Sequence, residues 1–431
     1  MKAPKMTELT LAALLVCGLT TLSSAMAQTA NGSAPVTAAA QMAPAASAMP
    51  QQPVTLEEYL RMVVRNRPSL AADRMEAGLA RADTRTASAF PNPSVSAYGK
   101  PGEHGIGIDQ PIPIFGQRGA RIETAKKGEL AADAHVELAV NAVLNDAAQA
   151  FNDLLVAQKR VEVWQDAQKA LDKAAYIVRG QIDAGARSRY DGARLTLQQA
   201  QLVMQLNKAN AALKAASTRA AQVAALPLWP ARAEGSIQTL NQQQMPEFDT
   251  LWNQAASRLP ALRSAQAEME QARSKIDLAK REALPTPSIG AMRVKSRNDG
   301  SYTQWGVSME IPLFDRHQGA IDRAKMEAEQ AELRWQAANQ DAQAGLYGAM
   351  QQWQLKRDSV RAYEKDGLAQ IEPLKQMAND AYKLGQGGIL ELIDALSSIN
   401  DHRLEYLDLV KDYLDAEWQV RLASGNVPVS E

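Results

Sequence analysis

Cysteine, aromatic residues and net charge are all scarce in this sequence, and each shortage excludes a class of protein. The 431 residues include one cysteine, Cys17, so the chain can form neither an intrachain disulfide nor a cysteine-based metal site. Aromatic residues make up only 5% of the chain. Lysine and arginine number 47 against 48 aspartates and glutamates, whereas nucleic-acid binding needs a clustered basic surface. We therefore expect no nucleic acid among the partners.

Long apolar runs and enzyme motifs are also missing. The one extended apolar run, residues 9–22, is too short to cross a bilayer as a helix, and the mean hydropathy of −0.31 argues against a polytopic helical membrane protein. The sequence contains no G-x-x-x-x-G-K-S/T phosphate loop and no G-x-S-x-G motif. Its 4 histidines are dispersed, without an H-E-x-x-H pair. We predict that the protein is not an enzyme, uses no cofactor and holds no metal of its own.

The N-terminus has the three-part pattern of a secretory signal peptide. A short basic region precedes the apolar run, and small residues at 25 and 27 provide a cleavage site, so we assign residues 1–27 to the signal. Lipidation at Cys17 is the alternative, although the residue before a lipidated cysteine is normally small and here it is Val16. Residues 28–53 are rich in Ala, Pro, Ser and Gln, which favours a disordered linker.

Landmarks in the first half of the chain recur in the second half in the same order. Residues 90–95 (FPNPSV) correspond to 284–289 (LPTPSI), and Gly185 corresponds to Gly385. Such self-similarity indicates an internal duplication. Each half is predicted to contain a helix, a β-hairpin, a long helix, a tight turn and a returning helix. The predicted boundaries are 54–245 for the first repeat, with its hairpin at 93–112 and its turn near 180–189; 246–425 for the second, with its hairpin at 287–312 and its turn near 384–389; and 426–431 for a C-terminal tail.

Helical periodicity dominates both predicted repeats. Between residues 136 and 164 the apolar positions follow alternating steps of four and three, which is the seam of a coiled coil. A helix of about 60 residues would be about 90 Å long, a length that suits a protein spanning a wide gap. We also predict one continuous first helix from about Thr55 to Ala89. The fold class is therefore mainly α with a small β part, built from long coiled-coil helical hairpins and two β-hairpins.

The second hairpin carries the argument for a membrane. Trp305, Val307 and Met309 alternate with polar or small residues, which is the pattern of a strand with one apolar face. We predict that these three side chains face lipid. The alternative is that both hairpins pack on a soluble helical bundle. Four strands cannot close a barrel and open edges are not tolerated in lipid, so membrane insertion would require several copies of the chain. Whether the shorter first hairpin spans the membrane is left open.

Three motifs carry a family resemblance. Each hairpin begins after a Pro-x-Pro segment, at 91–93 and 285–287; the first hairpin is followed by G-Q-R-G-A-R at 116–121; and the second turn reads Y-K-L-G at 382–385. From about residue 54 to residue 425 the chain resembles the TolC-type outer-membrane efflux proteins. The 116–121 motif is most similar to the cobalt–zinc–cadmium resistance branch of that family.

The resemblance implies an assembly, a location and a function. Three subunits would form a twelve-stranded β-barrel in outer-membrane lipid, continued by an α-helical tunnel in the periplasm. A periplasmic adaptor and an inner-membrane RND-type pump would be the partners, and divalent heavy-metal cations the substrate. A duct for drugs or secreted proteins, or a periplasmic coiled-coil structural or adaptor protein, is the alternative function.

The resemblance also implies a gate near the two helical turns. In the family, links near these turns close the resting tunnel and acidic rings line the constriction. Gly387 stands where some relatives carry an arginine, which leaves Arg187 or Arg189 as possible substitutes. Asp394 is placed at the position that matches Asp191. The alternative is that the acidic residues are solvated near helix N-termini, where carboxylates are favoured. The candidate gate residues are Asp191, Tyr382, Glu391, Asp394, Arg187 and Arg189, and the turn glycines are Gly185 and Gly385.

Overall fold

The computed structural model describes residues 53–229, 232–235 and 246–427. The predicted signal peptide, nearly all of the predicted linker and most of the C-terminal tail lie outside the described residues. The elements are α1 (Leu56–Asn66), α2 (Pro68–Ser88), β1 (Ser94–Lys100), β2 (Glu103–Pro111), α3 (Gln117–Asp183), α4 (Arg189–Val223), α5 (Phe248–Ala255), α6 (Pro260–Glu282), β3 (Pro287–Ser296), β4 (Gly300–Met309), α7 (Gln318–Tyr363), a π-helical turn (Glu364–Leu368), α8 (Ala369–Lys383) and α9 (Ile389–Ala423).

The predicted fold class is confirmed: the chain is mainly helical, with two β-hairpins. The same order of elements occurs twice, and the returning helices α4 and α9 both contain 35 residues. The long helix of the first copy, α3, is uninterrupted over 67 residues, or roughly 100 Å. Its counterpart is divided into α7 and α8 by the π-helical turn. The exact limits of the two repeats stay a prediction.

The prediction of one continuous first helix is wrong. The helix breaks at Arg67, whose ψ of 117° is extended, and α2 begins at Pro68. A proline ring clashes with a helical conformation of the residue before it, whereas proline itself is well tolerated at the first position of a helix. The second copy repeats the break, with Leu259 at ψ 119° before Pro260.

The apolar seam predicted in the long first-copy helix forms the interior of the helical part. Six of its nine positions, from Val143 to Val161, are buried, and the end positions Val136, Val140 and Trp164 are half-buried. Helix α3 packs against α1, α2, α4, α6 and α9, so this seam is buried against elements of both copies.

The largest buried cluster ties the start of the first copy to the end of the second. Tyr59 of α1 is fully buried, and its ring lies 5.6 Å from Phe151 and 5.2 Å from Trp229. Its hydroxyl donates a 2.9 Å hydrogen bond to the carbonyl of Ala220. Trp418 of α9 belongs to the same cluster, so both ends of the described chain share one core.

The four strands form one antiparallel sheet in the order β1-β2-β3-β4. The central pairing, β2 with β3, joins the hairpin of the first copy to that of the second. Strands β1 and β4 are the two open edges.

The helices do not supply a membrane span. None of the described helices is both long and apolar enough to cross a membrane.

The alternation predicted for β4 extends to the other strands in the rows nearer the helices. Towards the hairpin turns it fails, because His104, Arg293 and Lys295 lie on the same side of the sheet as Trp305. Residues that pair directly across antiparallel strands point to the same face, so the register assigns every side chain. One surface, here called the apolar face, carries seven large hydrophobic side chains that are all exposed: Val95, Ile106, Ile108, Ile289, Trp305, Val307 and Met309. The opposite surface, here called the Asp109 face, carries mostly small or polar residues: Ser94, Ser96, Lys100, Glu103, Gly105, Gly107, Asp109, Ser288, Gly290, Ser296, Gly300, Gln304, Gly306 and Ser308, together with Tyr98, Pro111, Met292, Val294 and Tyr302.

Candidate functional site

The two predicted tip turns have the same backbone geometry. Gly185 and Gly385 adopt left-handed φ values of +73° and +72°. After each glycine an N–H reaches back to the helix: Ala186 donates to Gln181 at 2.8 Å, and Gln386 donates to Ala381 at 2.9 Å. This is the Schellman ending of a helix, in which glycine is preferred because a side chain is strained at positive φ. The turns end α3 and α8 in the same way and lead into α4 and α9.

Arg187 connects the first tip turn to the second. Its guanidinium lies over the ring of Tyr382, 4.9 Å from the ring centroid. Its Nη2 atom also donates to the carbonyl of Gly387 at 3.5 Å. Such a cation–π contact stabilises by about 0.5–1 kcal/mol at an exposed site. Of the two arginines considered from the sequence, Arg187 makes the contact, whereas Arg189 is exposed at the first position of α4.

Tyr382 is the buried centre of this group. Only 3% of the residue is exposed, and its hydroxyl donates to Gln181 Oε1 at 3.3 Å. Burial raises the pKa of Tyr382 above its usual value; the positive charge of Arg187 opposes the rise and the negative charge of Asp191 adds to it. The phenol is therefore neutral at physiological pH and acts as a hydrogen-bond donor. Asp191, although only half-buried, is close enough to influence it electrostatically.

The predicted match between Asp191 and Asp394 is wrong. Helices α4 and α9 begin after the caps Ser188 and Gly388, so the third helical residue is Asp191 in the first copy and Glu391 in the second. Asp394 lies three residues further along α9 and is exposed. Counting from the turn glycines leads to the same assignment, since Asp191 and Glu391 both lie six residues after the glycine and Asp394 lies nine residues after it.

Glu391 has a structural role at the start of its helix. Its Oε2 atom accepts a 2.7 Å hydrogen bond from the backbone N–H of Gly388. An acidic residue here satisfies an otherwise unpaired N–H and opposes the positive end of the helix dipole. The sequence left two interpretations of Glu391, a gate residue or an acid near a helix N-terminus. The structure shows the contact that the second interpretation expects.

Gln181 is a member of the group that sequence reasoning missed. It occupies the last turn of α3, and it contributes its side-chain oxygen to Tyr382 and its carbonyl to the first tip turn. A glutamine among many glutamines in a helical sequence carries no signal of this role. Its partner lies 201 residues away in the chain, so only the packing of α3 on α8 and α9 reveals it.

Below the tip turns, the group rests on an apolar cluster shared by both helical hairpins. Tyr382 of α8 belongs to this cluster, and the other buried members come from α3, α4 and α9: Ala167, Leu171, Ala174, Val178, Leu195, Leu202, Ile389 and Leu392. Displacing Tyr382 would therefore disturb contacts of both hairpins at once.

The predicted lipid-facing residues all lie on the apolar face of the sheet. Trp305 and Val307 are each 75% exposed and Met309 is 48% exposed. No helix packs over this face within the described residues, so seven large hydrophobic side chains meet solvent in the isolated subunit. Exposed apolar patches of this kind mark interaction surfaces.

The histidines of the described residues are separate from one another. His135 contacts Glu268 at 2.7 Å, and His402 contacts the hydroxyl of Tyr363 at 2.9 Å. Within the part of the chain that the structure describes, no group of three or more His, Cys, Asp or Glu side chains is placed to hold a metal ion.

A four-stranded sheet joined to long paired helices with matched tip turns defines the fold of bacterial outer-membrane channels. The chain is similar to the structure of CusC, with a TM-score of 0.72 and 17% identity, over 86% of this chain and 92% of that one. It is also similar to the open state of the Neisseria gonorrhoeae MtrE outer membrane channel, with a TM-score of 0.70 and 17% identity, over 86% of this chain and 88% of that one.

Sequence comparison identifies the family. The outer membrane efflux protein family matches residues 60–226 and again residues 251–426. The chain therefore belongs to the outer membrane efflux protein family, whose members are channel proteins of the outer membrane. The predicted resemblance to TolC-type efflux proteins is confirmed.

Proteins with similar sequences include two metal-resistance proteins and a nodulation protein. It is 24% identical over 371 residues to the cobalt-zinc-cadmium resistance protein CzcC of Cupriavidus metallidurans, covering 83% of this chain and 87% of that protein. It is 26% identical over 325 residues to the nickel-cobalt-cadmium resistance protein NccC of Alcaligenes xylosoxydans xylosoxydans, covering 71% of each. It is 22% identical over 335 residues to nodulation protein T of Rhizobium leguminosarum bv. trifolii, covering 74% of this chain and 70% of that protein.

Proposed function

We propose that this efflux protein is the outer-membrane channel of a tripartite system that exports divalent heavy-metal cations. An inner-membrane RND-type pump would supply the energy, and a periplasmic adaptor would connect pump and channel. The observation that carries the channel proposal is the sheet, in which one face carries seven exposed large hydrophobic side chains whereas the other is mostly small and polar. A sheet with this division suits a wall between lipid and water.

The open sheet edges support an assembly of several copies, and membership of the family supports three. Backbone groups at a strand edge find no water in the hydrocarbon region, so β1 and β4 both need a partner strand. Because the four strands alternate in direction, β4 of one copy can pair antiparallel with β1 of the next. Two copies would give eight strands, which is about the minimum for a bacterial barrel, and three copies give the twelve strands that the family resemblance implies. In this arrangement the apolar face contacts lipid and the Asp109 face lines the lumen.

We place the gate at the tip turns. Arg187 holds the two turns of one subunit together through Tyr382 and the carbonyl of Gly387. Asp191 lies beside this contact, and Asp394 is exposed further along α9. Threefold symmetry would repeat each carboxylate around the tunnel, and rings of carboxylates favour cations over anions. Opening then requires that the Arg187 contact be broken.

The names of the relatives support a metal substrate. Two of them are described as resistance proteins for cobalt, cadmium and either zinc or nickel. The relative called nodulation protein T, at 22% identity, favours a second candidate, the same duct with a different cargo.

The test is a tolerance panel on a clean deletion strain, with divalent metals, hydrophobic drugs and detergents in parallel. We expect sensitivity to cobalt, zinc, cadmium or nickel that the wild-type gene restores. A variant with Val307→Arg, designed to prevent assembly in the membrane, serves as the matched negative control. Sensitivity to drugs without sensitivity to metals would contradict the metal substrate and retain the duct. Full complementation by the Val307→Arg variant would contradict the membrane assignment of the apolar face.

A further inference from the structure

Asp109 occupies an unusual place on the face of the sheet opposite the apolar face. The register aligns it with Ser94 on one side and with Gly290 and then Gly306 on the other. One row of the sheet therefore consists of a serine, an aspartate and two glycines. No bulky side chain covers the carboxylate from its own row.

Gly290 provides the space that the carboxylate occupies. A Cβ atom placed on Gly290 would overlap Asp109 Oδ1 and would lie 3.0 Å from Asp109 Cγ. The side chain thus lies flat against the backbone of β3, in a position that any residue other than glycine would block. A shallow hollow of about 190 Å³ opens beside it, with Gly107, Met292 and Gln304 among its lining residues.

The charge of Asp109 is not balanced by a neighbour. Within the described residues its carboxylate takes part in no ion pair and no hydrogen bond. The other acid on this face, Glu103, is paired with Lys100 at 2.8 Å and accepts a 2.6 Å hydrogen bond from Tyr98. Asp109 is therefore the one carboxylate on the described part of this face that has no ion-pair or hydrogen-bond partner within the subunit.

We infer that Asp109 gives the strand region of the channel its preference for cations. This inference rests on the proposed function, because it requires the Asp109 face to line a water-filled lumen in a closed assembly. Threefold symmetry would then set three carboxylates at one level, well away from the acids at the tip turns. Such a ring raises the local concentration of hydrated monovalent and divalent cations through its field, without binding any of them tightly.

The experiment is a measurement of reversal potentials with the purified full-length protein in planar bilayers, under gradients of potassium chloride. We expect Asp109→Asn to lower the cation-over-anion permeability ratio by about twofold or more near 0.01 M salt, where the Debye length is about 30 Å. Near 1 M salt, where the Debye length is about 3 Å, the difference should largely vanish. A merely structural defect would not disappear with salt.

Two further variants provide the controls. Ser288→Asp adds a carboxylate to the same face, on the row nearer the helices, and is expected to raise the cation preference. Asp299→Asn removes a carboxylate from the exposed hairpin turn and is expected to leave the ratio unchanged. The acids at the tip turns are the same in all of these proteins, so differences among them report on the sheet.

The outcomes separate this inference from the function on which it rests. Wild-type pores whose ion preference is unaffected by Asp109→Asn at low salt would overturn the inference and leave the channel intact. If Asp109→Asn fails to form pores, the test rests on Ser288→Asp. An unchanged cation-over-anion permeability ratio in that variant would equally overturn the inference. Failure of both the wild-type protein and the Arg187→Ala variant, in which the proposed gate contact is removed, to form any pore would overturn both proposals.

Discussion

At the scale of single residues, four backbone positions with positive φ recur in both copies, and two of them are filled by different residues. The hairpin turn has glycine in both copies, at Gly102 and Gly300. The helix-ending turn has glycine in both copies at Gly185 and Gly385. After α4 the same conformation is held by Ala225, with φ +54°, whereas after α9 it is held by Gly425, with φ +67°. Before α3 it is held by Gly116, and before α7 by His317. The duplication preserved the backbone geometry more closely than the residues.

Ala225 is therefore a site of removable strain. A left-handed conformation costs a residue with a Cβ atom roughly 1 kcal/mol, and glycine avoids this cost. We expect Ala225→Gly to stabilise the protein by up to about 1 kcal/mol, measured as a rise in the thermal midpoint in detergent. The matched substitution Gly425→Ala should lower the midpoint, because its Cβ would also lie 3.3 Å from Arg258 Cβ. A fall in the midpoint of Ala225→Gly would contradict the strain argument.

At the scale of elements, the contact between the two tip turns predicts different effects for substitutions at Arg187, Tyr382 and Asp191. The sequence named all three as gate residues without ranking them. Arg187→Ala removes both the cation–π contact and the bond to Gly387, so we expect the largest increase in open-channel events in planar bilayers. Tyr382→Phe keeps the ring and loses only the 3.3 Å bond to Gln181, so its effect should be smaller. Asp191→Ala should also increase opening, through loss of its field at the same group.

Arg189→Ala is the control for the gate, since Arg189 is exposed next to the same turn. Its conductance should match that of the wild type. Equal conductance in Arg187→Ala, Tyr382→Phe and the wild type would remove the basis for placing the gate at these residues.

The ion pair between α3 and α6 gives a pH dependence at the same scale. Lys127 donates to Glu270 at 2.7 Å, and this hydrogen bond holds the pKa of Glu270 below its usual value. A carboxyl group with a lowered pKa in the folded state stabilises it above the unfolded pKa of about 4.3, and that stabilisation is lost as pH falls through the folded value.

We therefore expect Glu270→Gln to show a smaller loss of thermal midpoint than the wild type when the pH is lowered from about 6 to about 3. Glu329→Gln is the matched control, because Glu329 is exposed on α7. Its acid profile should follow that of the wild type. An unchanged acid profile in Glu270→Gln would show that the contact does not persist in solution.

At the scale of the whole molecule, the proposed insertion into the outer membrane depends on the difference between the two faces of the sheet. Val307 lies on the apolar face and is 75% exposed, whereas Gln304 lies on the Asp109 face. An arginine facing lipid near the bilayer midplane costs about 2–4 kcal/mol, but one facing a water-filled lumen costs little. We expect Val307→Arg to reduce the amount of assembled protein in the outer-membrane fraction, and Gln304→Arg to preserve it.

Membrane fractionation with analysis of the oligomer by native electrophoresis measures both variants. Normal assembly of Val307→Arg would contradict a lipid-facing role for the apolar face. Loss of assembly in both variants would mean that the strand tolerates no arginine on either side, and would contradict the division of the sheet into lipid and lumen faces.

Much of the fold was predictable because it depends on local patterns. The coiled-coil seam around Leu154 and the alternation around Trp305 follow from helical and strand periodicity within one segment. Prolines marked the hairpins, but the break before Pro68 went unpredicted, although the same steric rule explains it. The π-helical turn between α7 and α8 has no counterpart in α3 and left no recognisable sequence pattern.

The sequence by itself determined the helical class, the duplication, the two hairpins and the apolar side of β4, because residues close in the chain fix each of them. Only the tertiary structure decided which distant residues meet. It pairs β2 with β3, places Arg187 on Tyr382 and sets Asp109 over Gly290. These contacts depend on the relative register of elements some 200 residues apart in the chain, and that register is set by the packing of the two copies against each other. Local periodicity fixes which side of a helix or strand is buried, but it does not fix which residue of a distant element packs against that side. The proposed gate and the proposed cation preference both depend on such pairings.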